Sequence, residues 1–216
     1  MIRADGSAES PNAAREALAE LCAAFGINRE AFGSVEFVDP ATMPDTFQRL
    51  LAHQQHMTAT LKAYHDEAVT LQVVAEWQCG DIYSRLIKLC AGAGDHVVEV
   101  GVMRFDLAYA GKAVRRAVLE CTTPLGDILA AHEVMRRIEP RWFLRLGDAF
   151  PLLTHFGNAR PAQPGNTRPP AAFARIGRIY CNDHPAIDLL EIVTDQKAEY
   201  GGAASSGGGG ADDGRG

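Results

Sequence analysis

Apolar residues recur along this chain with two different periods, and each change of period marks a new element. After Ser10-Pro11, Leu18, Leu21, Cys22 and Phe25 fall on one helical stripe, and Gly26 is placed to end it. Residues 44–64 (PDTFQRLLAHQQHMTATLKAY) read as a second helical region, broken near His56-Met57. From residue 68 the period becomes two. Residues 68–77 alternate through Val69, Leu71 and Val73, and extended runs at 82–89 and 97–107 follow, separated by the turn-like AGAGD. Residues 112–120 and 126–132 predict short helices on either side of Thr123-Pro124-Leu125-Gly126, and 134–146 resume extended character. Residues 158–170 (NARPAQPGNTRPP) carry too much Pro and Asn for regular structure and read as an exposed loop. Runs at 175–181 and 187–194 predict a hairpin across Asn182-Asp183. Consecutive strands joined by short turns predict an α+β fold, an antiparallel sheet with helices on one side.

Three of these strands each place a charge on an otherwise apolar face, because alternate residues of a strand share a face. Ile187, Leu189, Glu191 and Val193 fall together, as do Tyr83, Arg85, Ile87 and Leu89, and Val98, Val100, Val102 and Arg104. Unpaired buried charge is costly, so such groups pair with one another, sit at strand ends near solvent, or line a site. A structural Arg–Glu pair and an enclosed pocket that holds a small anion both satisfy the pattern. Gly101, in mid-strand, fits close approach by a ligand or another backbone.

Composition sets the boundaries. The 216 residues, 47% of them apolar, suit a single domain. Residues 1–10 and the Gly/Ser/Asp tail at 198–216 have nothing to bury and are expected to be disordered, which leaves a folded body at 11–197. A net charge of −6 argues against a nucleic-acid surface, so any anionic ligand must be held by local cations. Five scattered cysteines without C-x-x-C spacing, no signal-peptide pattern and no long apolar run point to a cytoplasmic protein with reduced thiols and no membrane partner.

Other chemistry-bearing residues read more cheaply as structure. His53 and His56, with His65 beyond, have no obvious acidic partner and fit exposed helix positions better than a metal site. His132 fits a helix end, and Cys90 and Cys121 fit inert core thiols. Arg136, Arg137 and Arg141 fit a solvated strand edge, and Trp77 and Trp142 fit packing positions.

The order of several short motifs resembles the chorismate lyase family and its 4-hydroxybenzoate-forming relatives. These are His56-Met57-Thr58, the stretch Tyr83 to Leu89 (YSRLIKL), a strand carrying Gly101, Thr123-Pro124-Leu125-Gly126 before a short helix, and Leu190-Glu191-Ile192-Val193 on the closing strand. The resemblance implies helical lids over a buried pocket. It also implies an enzyme that splits chorismate into 4-hydroxybenzoate and pyruvate with no metal or cofactor. In such a pocket Arg85 and the backbone amides of Met57 and Leu125, beside Gly126, would hold the ring carboxylate. Glu191 would contact the hydroxyl and assist proton transfer. The family's mid-strand glycine can be followed directly by Arg; here Val102 and Met103 intervene before Arg104, which the resemblance offers for the enolpyruvyl carboxylate. Arg85 and Glu191 are thus indicated twice, by strand periodicity and by resemblance.

Two alternatives remain open at this level. The same fold serves as the effector-binding domain of transcription regulators, where it senses a small molecule and catalyses nothing, although no recognition helix is evident ahead of Pro44. It also suits an enzyme acting on another chorismate-derived or secondary-metabolite substrate. The sequence leaves the oligomeric state open.

Overall fold

The computed structural model describes residues 11–28, 35–92, 96–156 and 171–194. The terminal segments expected to be disordered and the loop at 158–170 lie outside these ranges, as do residues 93–95 of the AGAGD turn.

Helix α1 (Pro11–Ala23) is followed by a short strand β1 (Val35–Val38), then α2 (Asp45–Leu51) and α3 (Met57–His65). Three long strands come next: β2 (Val69–Cys79), β3 (Ile82–Ala91) and β4 (His96–Asp106). Two short helices, α4 (Lys112–Leu119) and α5 (Leu125–Ala131), separate them from β5 (Arg136–Leu146), β6 (Ala172–Cys181) and β7 (His184–Thr194). The strands form one seven-stranded antiparallel sheet in the order β1-β5-β6-β7-β4-β3-β2. The fold is α+β.

Local chemistry accounts for most boundaries. The helical region at 44–64 breaks where expected, because His53 folds the chain back on itself. Its Nε2 donates to the Leu50 carbonyl at 2.7 Å, and its Nδ1 accepts from the Gln55 amide at 3.2 Å. The β6–β7 hairpin turns on Asn182 and Asp183, both with positive φ (48° and 65°), the tight two-residue connection that matches strand twist. β1 escaped the periodicity reading: four residues (VEFV) are too few to show a period.

Both faces of the sheet are covered. The stripe Ala14, Leu18, Leu21 and Cys22 of α1 packs on Val100 and Val102 of β4, Leu190 and Ile192 of β7, and Ala174 and Ile176 of β6. The other face meets α2 and α3 through Leu50, Leu51, Met57 and Leu61, which pack on Leu89, Phe173 and Val193. Helices α4 and α5 cover its remainder with Val114, Val118, Ile128 and Leu129 against Met103, Phe105 and Ile187. Four helices therefore share the face expected to carry them, and α1 takes the opposite one. Trp77, expected to pack, is exposed on edge strand β2, whereas Trp142 is buried. No helix among the described residues is long and apolar enough to cross a membrane.

Leu18 is fully buried beneath α1, so Leu18→Ala should lose about 2–5 kcal/mol of stability, read from urea denaturation. A loss below about 0.5 kcal/mol would mean that α1 is not an integral layer of the fold.

Candidate ligand-binding site

Strand alternation, now fixed by register, sorts the charged residues. Arg85 lies opposite Met103, Ile87 opposite Gly101 and Leu89 opposite Glu99 on the β3–β4 pair. Gly101 and Met103 then lie opposite Glu191 and Leu189 of β7, and Glu191 lies opposite Arg175 of β6. These residues share the face beneath α2, α3 and α5. Between sheet and helices lies a cavity with about 500 Å³ of empty volume, its open mouth included. Arg85, Glu99, Gly101 and Glu191 line it from the sheet. Met57, Thr58, Leu125 and Gly126 line it from the first turns of α3 and α5, and Ile87, Leu89, Met103, Ile179 and Leu189 supply apolar wall. Helices α3 and α5 both begin without a side-chain cap, at His56 and Pro124. Gly126 permits their close approach, since a Cβ there would come within 3.0 Å of His56 Cβ and Cγ.

Five of the six residues singled out from sequence, Met57, Arg85, Leu125, Gly126 and Glu191, are thus brought to one cavity. The sixth, Arg104, is not. It stands opposite Ser84 and Asp188, on the side of β4 that carries Val100 and Val102 toward α1. That assignment is corrected, and the physical reason is that β4 is apolar on both faces. Alternation alone could not say which face meets the cavity. A bulge leaves Val98 unpaired between Val97 and Glu99, so Val98 joins the cluster under α2 and α3 while Val100 and Val102 stay on the α1 side.

Two site residues went unseen in the sequence. Arg175 is 1% exposed and its Nε donates to Glu191 Oε2. Its Nη1 donates to the carbonyls of Leu51 (3.1 Å) and His53 (2.9 Å), and Nη2 to that of Gln55 (3.4 Å). It had been read as the first residue of its strand, whereas the strand begins at Ala172 and puts Phe173, Arg175 and Gly177 in phase with the cavity. Glu99 is 3% exposed, and its Oε2 has no hydrogen-bond partner. Arg85 is 1% exposed with Nε and Nη1 likewise unpartnered. Of the remaining candidates, His132 caps the C-terminus of α5, whereas His56 lines the cavity and accepts a hydrogen bond from Arg136 Nε. Cys121 is half-buried rather than in apolar core. It contacts Tyr83 Oη and Glu76, and burial followed by its bond to Glu76 holds the thiol above its ordinary value. Among the described residues no group of three or more His, Cys, Asp or Glu is arranged to hold a metal ion.

The electrostatics follow from the partners. Burial first, then the neighbouring charge of Glu191, hold the Glu99 carboxyl well above the usual carboxylate range, against the opposing pull of Arg175. Burial holds the Arg85 guanidinium below its ordinary value, and burial followed by Arg175 does the same to His53. His56 is lowered by burial and then by Arg136.

No protein-family model matches the chain, and no curated protein is similar to it. Among solved structures it is similar to the effector domain of PhnF from Mycobacterium smegmatis (11% identity, TM-score 0.41), covering 65% of this chain and 88% of that one. It is also similar to PhnF itself from the same organism (13%, TM-score 0.41, covering 81% and 84%). A GntR-family transcriptional regulator from Bacillus cereus follows (11%, TM-score 0.37, covering 61% and 95%). Likeness at this level transfers no residue roles. The expectation of a carbon–oxygen lyase is corrected to the extent that these neighbours are an effector domain and transcriptional regulators. The pocket offers a physical reason for that correction, because Glu191, the expected base, is committed to Arg175.

Two outcomes test this electrostatic account. A carboxyl whose folded pKa is raised stabilises the protein fully below its unfolded value, and the contribution is lost as pH rises toward the folded value. Glu99→Gln should therefore gain on the parent above about pH 4.5 by up to about 1.4 kcal/mol per pH unit. His53 and His56 titrate in both proteins, so the difference between the two urea series isolates Glu99, and a difference independent of pH would show ordinary titration. Arg175→Met should lose about 3–5 kcal/mol by leaving Glu191 buried without its cation. Much of that loss should return in the double variant with Glu191→Leu, and a single-variant loss under about 1 kcal/mol would show the pair to be energetically idle.

Proposed function

We propose that this chain is a small-molecule-binding domain that holds a carboxylate-bearing ligand with an apolar body and does not transform it. The domain is the single folded body at 11–197. The observation that carries the reading is Arg85, a guanidinium 1% exposed in the cavity wall with two unpartnered nitrogens. Leaving buried guanidinium donors unused costs free energy, and a bound carboxylate lowers that cost by accepting a charge-assisted bond from one of them. The charged groups around the cavity point the same way. Arg175 is matched by Glu191, and Glu99 is held toward its neutral form. Glu76, exposed and opposite Arg85 across the β2–β3 pair, accepts from Tyr83 and Cys121, so Arg85 is the cation in the cavity wall with donors to offer. The apolar residues around it suit a ligand body without further charge.

The first turns of α3 and α5 add supporting donors, since helix amides ahead of the first intrahelical bond have no partner within the helix. Effector sensing is the use that fits such a site. It needs affinity and selectivity but no proton acceptor free to act, and the pocket's aligned carboxylate is not free.

The test uses benzoate as a plain probe, titrated calorimetrically into the parent and into Arg85→Ala. The parent should bind it, and Arg85→Ala should bind roughly 10- to 100-fold more weakly, the worth of hydrogen bonds to a charged group. Benzylamine, of the same shape and opposite charge, should not bind. Equal affinity of the two proteins for benzoate would remove the anion site. Chorismate incubated with the protein should yield pyruvate at the uncatalysed rate, and a faster rate would overturn the non-catalytic part of the reading.

A further inference from the structure

Glu99 has no role in holding a carboxylate, yet it is buried in the cavity wall with an oxygen that nothing in the protein satisfies. Its surroundings explain how it is tolerated. The nearest cation across the sheet, Arg175, has Nε on Glu191 and its terminal nitrogens on the carbonyls of Leu51, His53 and Gln55. Arg85 is four positions away along the paired strands, about 13 Å at 3.3 Å per residue. Glu191 faces Glu99 across Gly101 and brings negative charge, and the imidazoles of the loop above, His53 and His56, are held below their usual range. No cation hydrogen-bonds Glu99, and burial with the Glu191 charge outweighs the pull of Arg175 and favours the protonated carboxyl. Gly101 maintains the arrangement: a Cβ there would meet Glu99 Oε1 at 3.0 Å and Ile87 Cγ1 at 3.2 Å.

A carboxylate can only accept hydrogen bonds, whereas a carboxylic acid can also donate one. We propose that Glu99 is the selectivity residue of the cavity, donating a hydrogen bond to an acceptor on the ligand at the end opposite its carboxylate. The proposal rests on the anion-binding reading of Arg85 and names the ligand class more closely. It is a carboxylic acid with an apolar or aromatic body and a carbonyl, ether or similar acceptor at its far end. A ligand with a second negative charge there is also met by Glu191 and is refused. One with an apolar far end leaves the Glu99 hydroxyl unpaired, which costs affinity.

The experiment compares benzoate with 4-formylbenzoate, an acceptor that cannot donate, on the parent, Glu99→Gln and Glu99→Leu. The parent should prefer 4-formylbenzoate roughly 3- to 10-fold, the worth of one neutral hydrogen bond. Glu99→Gln should keep the preference, because its amide still donates, and Glu99→Leu should lose it, binding benzoate at least as tightly as the parent because no hydroxyl is left unpaired. Equal affinity of the parent for the two acids, or an unchanged preference in Glu99→Leu, overturns the proposal and leaves the Arg85 site standing. Failure of the parent to bind either acid removes the anion reading and this assignment with it. Infrared difference spectra of the unliganded parent and Glu99→Gln check the protonation alone. The carbonyl band of a carboxylic acid should be present in the parent at neutral pH and missing from the variant. A parent without that band also overturns the proposal.

Discussion

The organisation of this molecule turns on Arg175. A guanidinium has five N–H donors in a fixed plane, and burying it is tolerable only when those donors are used. Here they are spent in two directions at once. Nε reaches across the hairpin to Glu191, and the terminal nitrogens reach up to three carbonyls of the turn between α2 and α3. The same side chain therefore fixes the charge state of the sheet and the position of the turn that delivers α3. Since α3 starts at Met57, directly after that turn, a residue on β6 helps to place Met57 and Thr58 at the cavity wall.

Arg175 already has its partners. Glu191 is satisfied, Glu99 has no hydrogen-bonded cation, and Arg85 keeps two unpartnered nitrogens although Glu76 lies opposite it on β2. The two leftovers do not neutralise each other because the pleat sets them four positions apart, with Ile87 and Gly101 between. A protein carrying a net charge of −6 thus keeps a locally positive spot inside. On the proposed reading, anion selection is a short-range property of buried groups, which salt screens far less than it screens the outer surface.

Much of this was legible in the sequence, and the limits have physical causes. Periodicity located α1, the broken α2–α3 region and six of the strands, because each is long enough to repeat its pattern and ends on turn chemistry such as Asn182-Asp183. It placed Arg85 and Glu191 on the cavity face because their strands mix polar and apolar positions. On β4 it failed. Val98, Val100 and Val102 read as one interior face, but Val100 and Val102 pack under α1 while the bulge carries Val98 to the cluster under α3. Glu99, on the alternate positions with Gly101, Met103 and Phe105, was hidden by the same ambiguity. Arg175 was hidden differently, since its importance lies in partners 120 to 124 residues away that no local pattern reports.

The pair that a sequence reader would take for catalysis also carries the strongest argument against it. A carboxylate and an arginine in one pocket suggest a base and an anion anchor, and Arg85 with Glu191 fits that picture on spacing alone. Structure inserts a second arginine, and the first consequence is chemical. The Glu191 oxygen that accepts from the guanidinium is held in place beside a fixed positive charge. The second consequence is mechanical. Drawing Glu191 away to serve as a base would strip Arg175 of its counter-charge and loosen the turn that positions α3. An arrangement in which the reacting group also anchors the roof resists repeated protonation and release. It accords with the proposed reading, in which the pocket holds an acid and does not transform it.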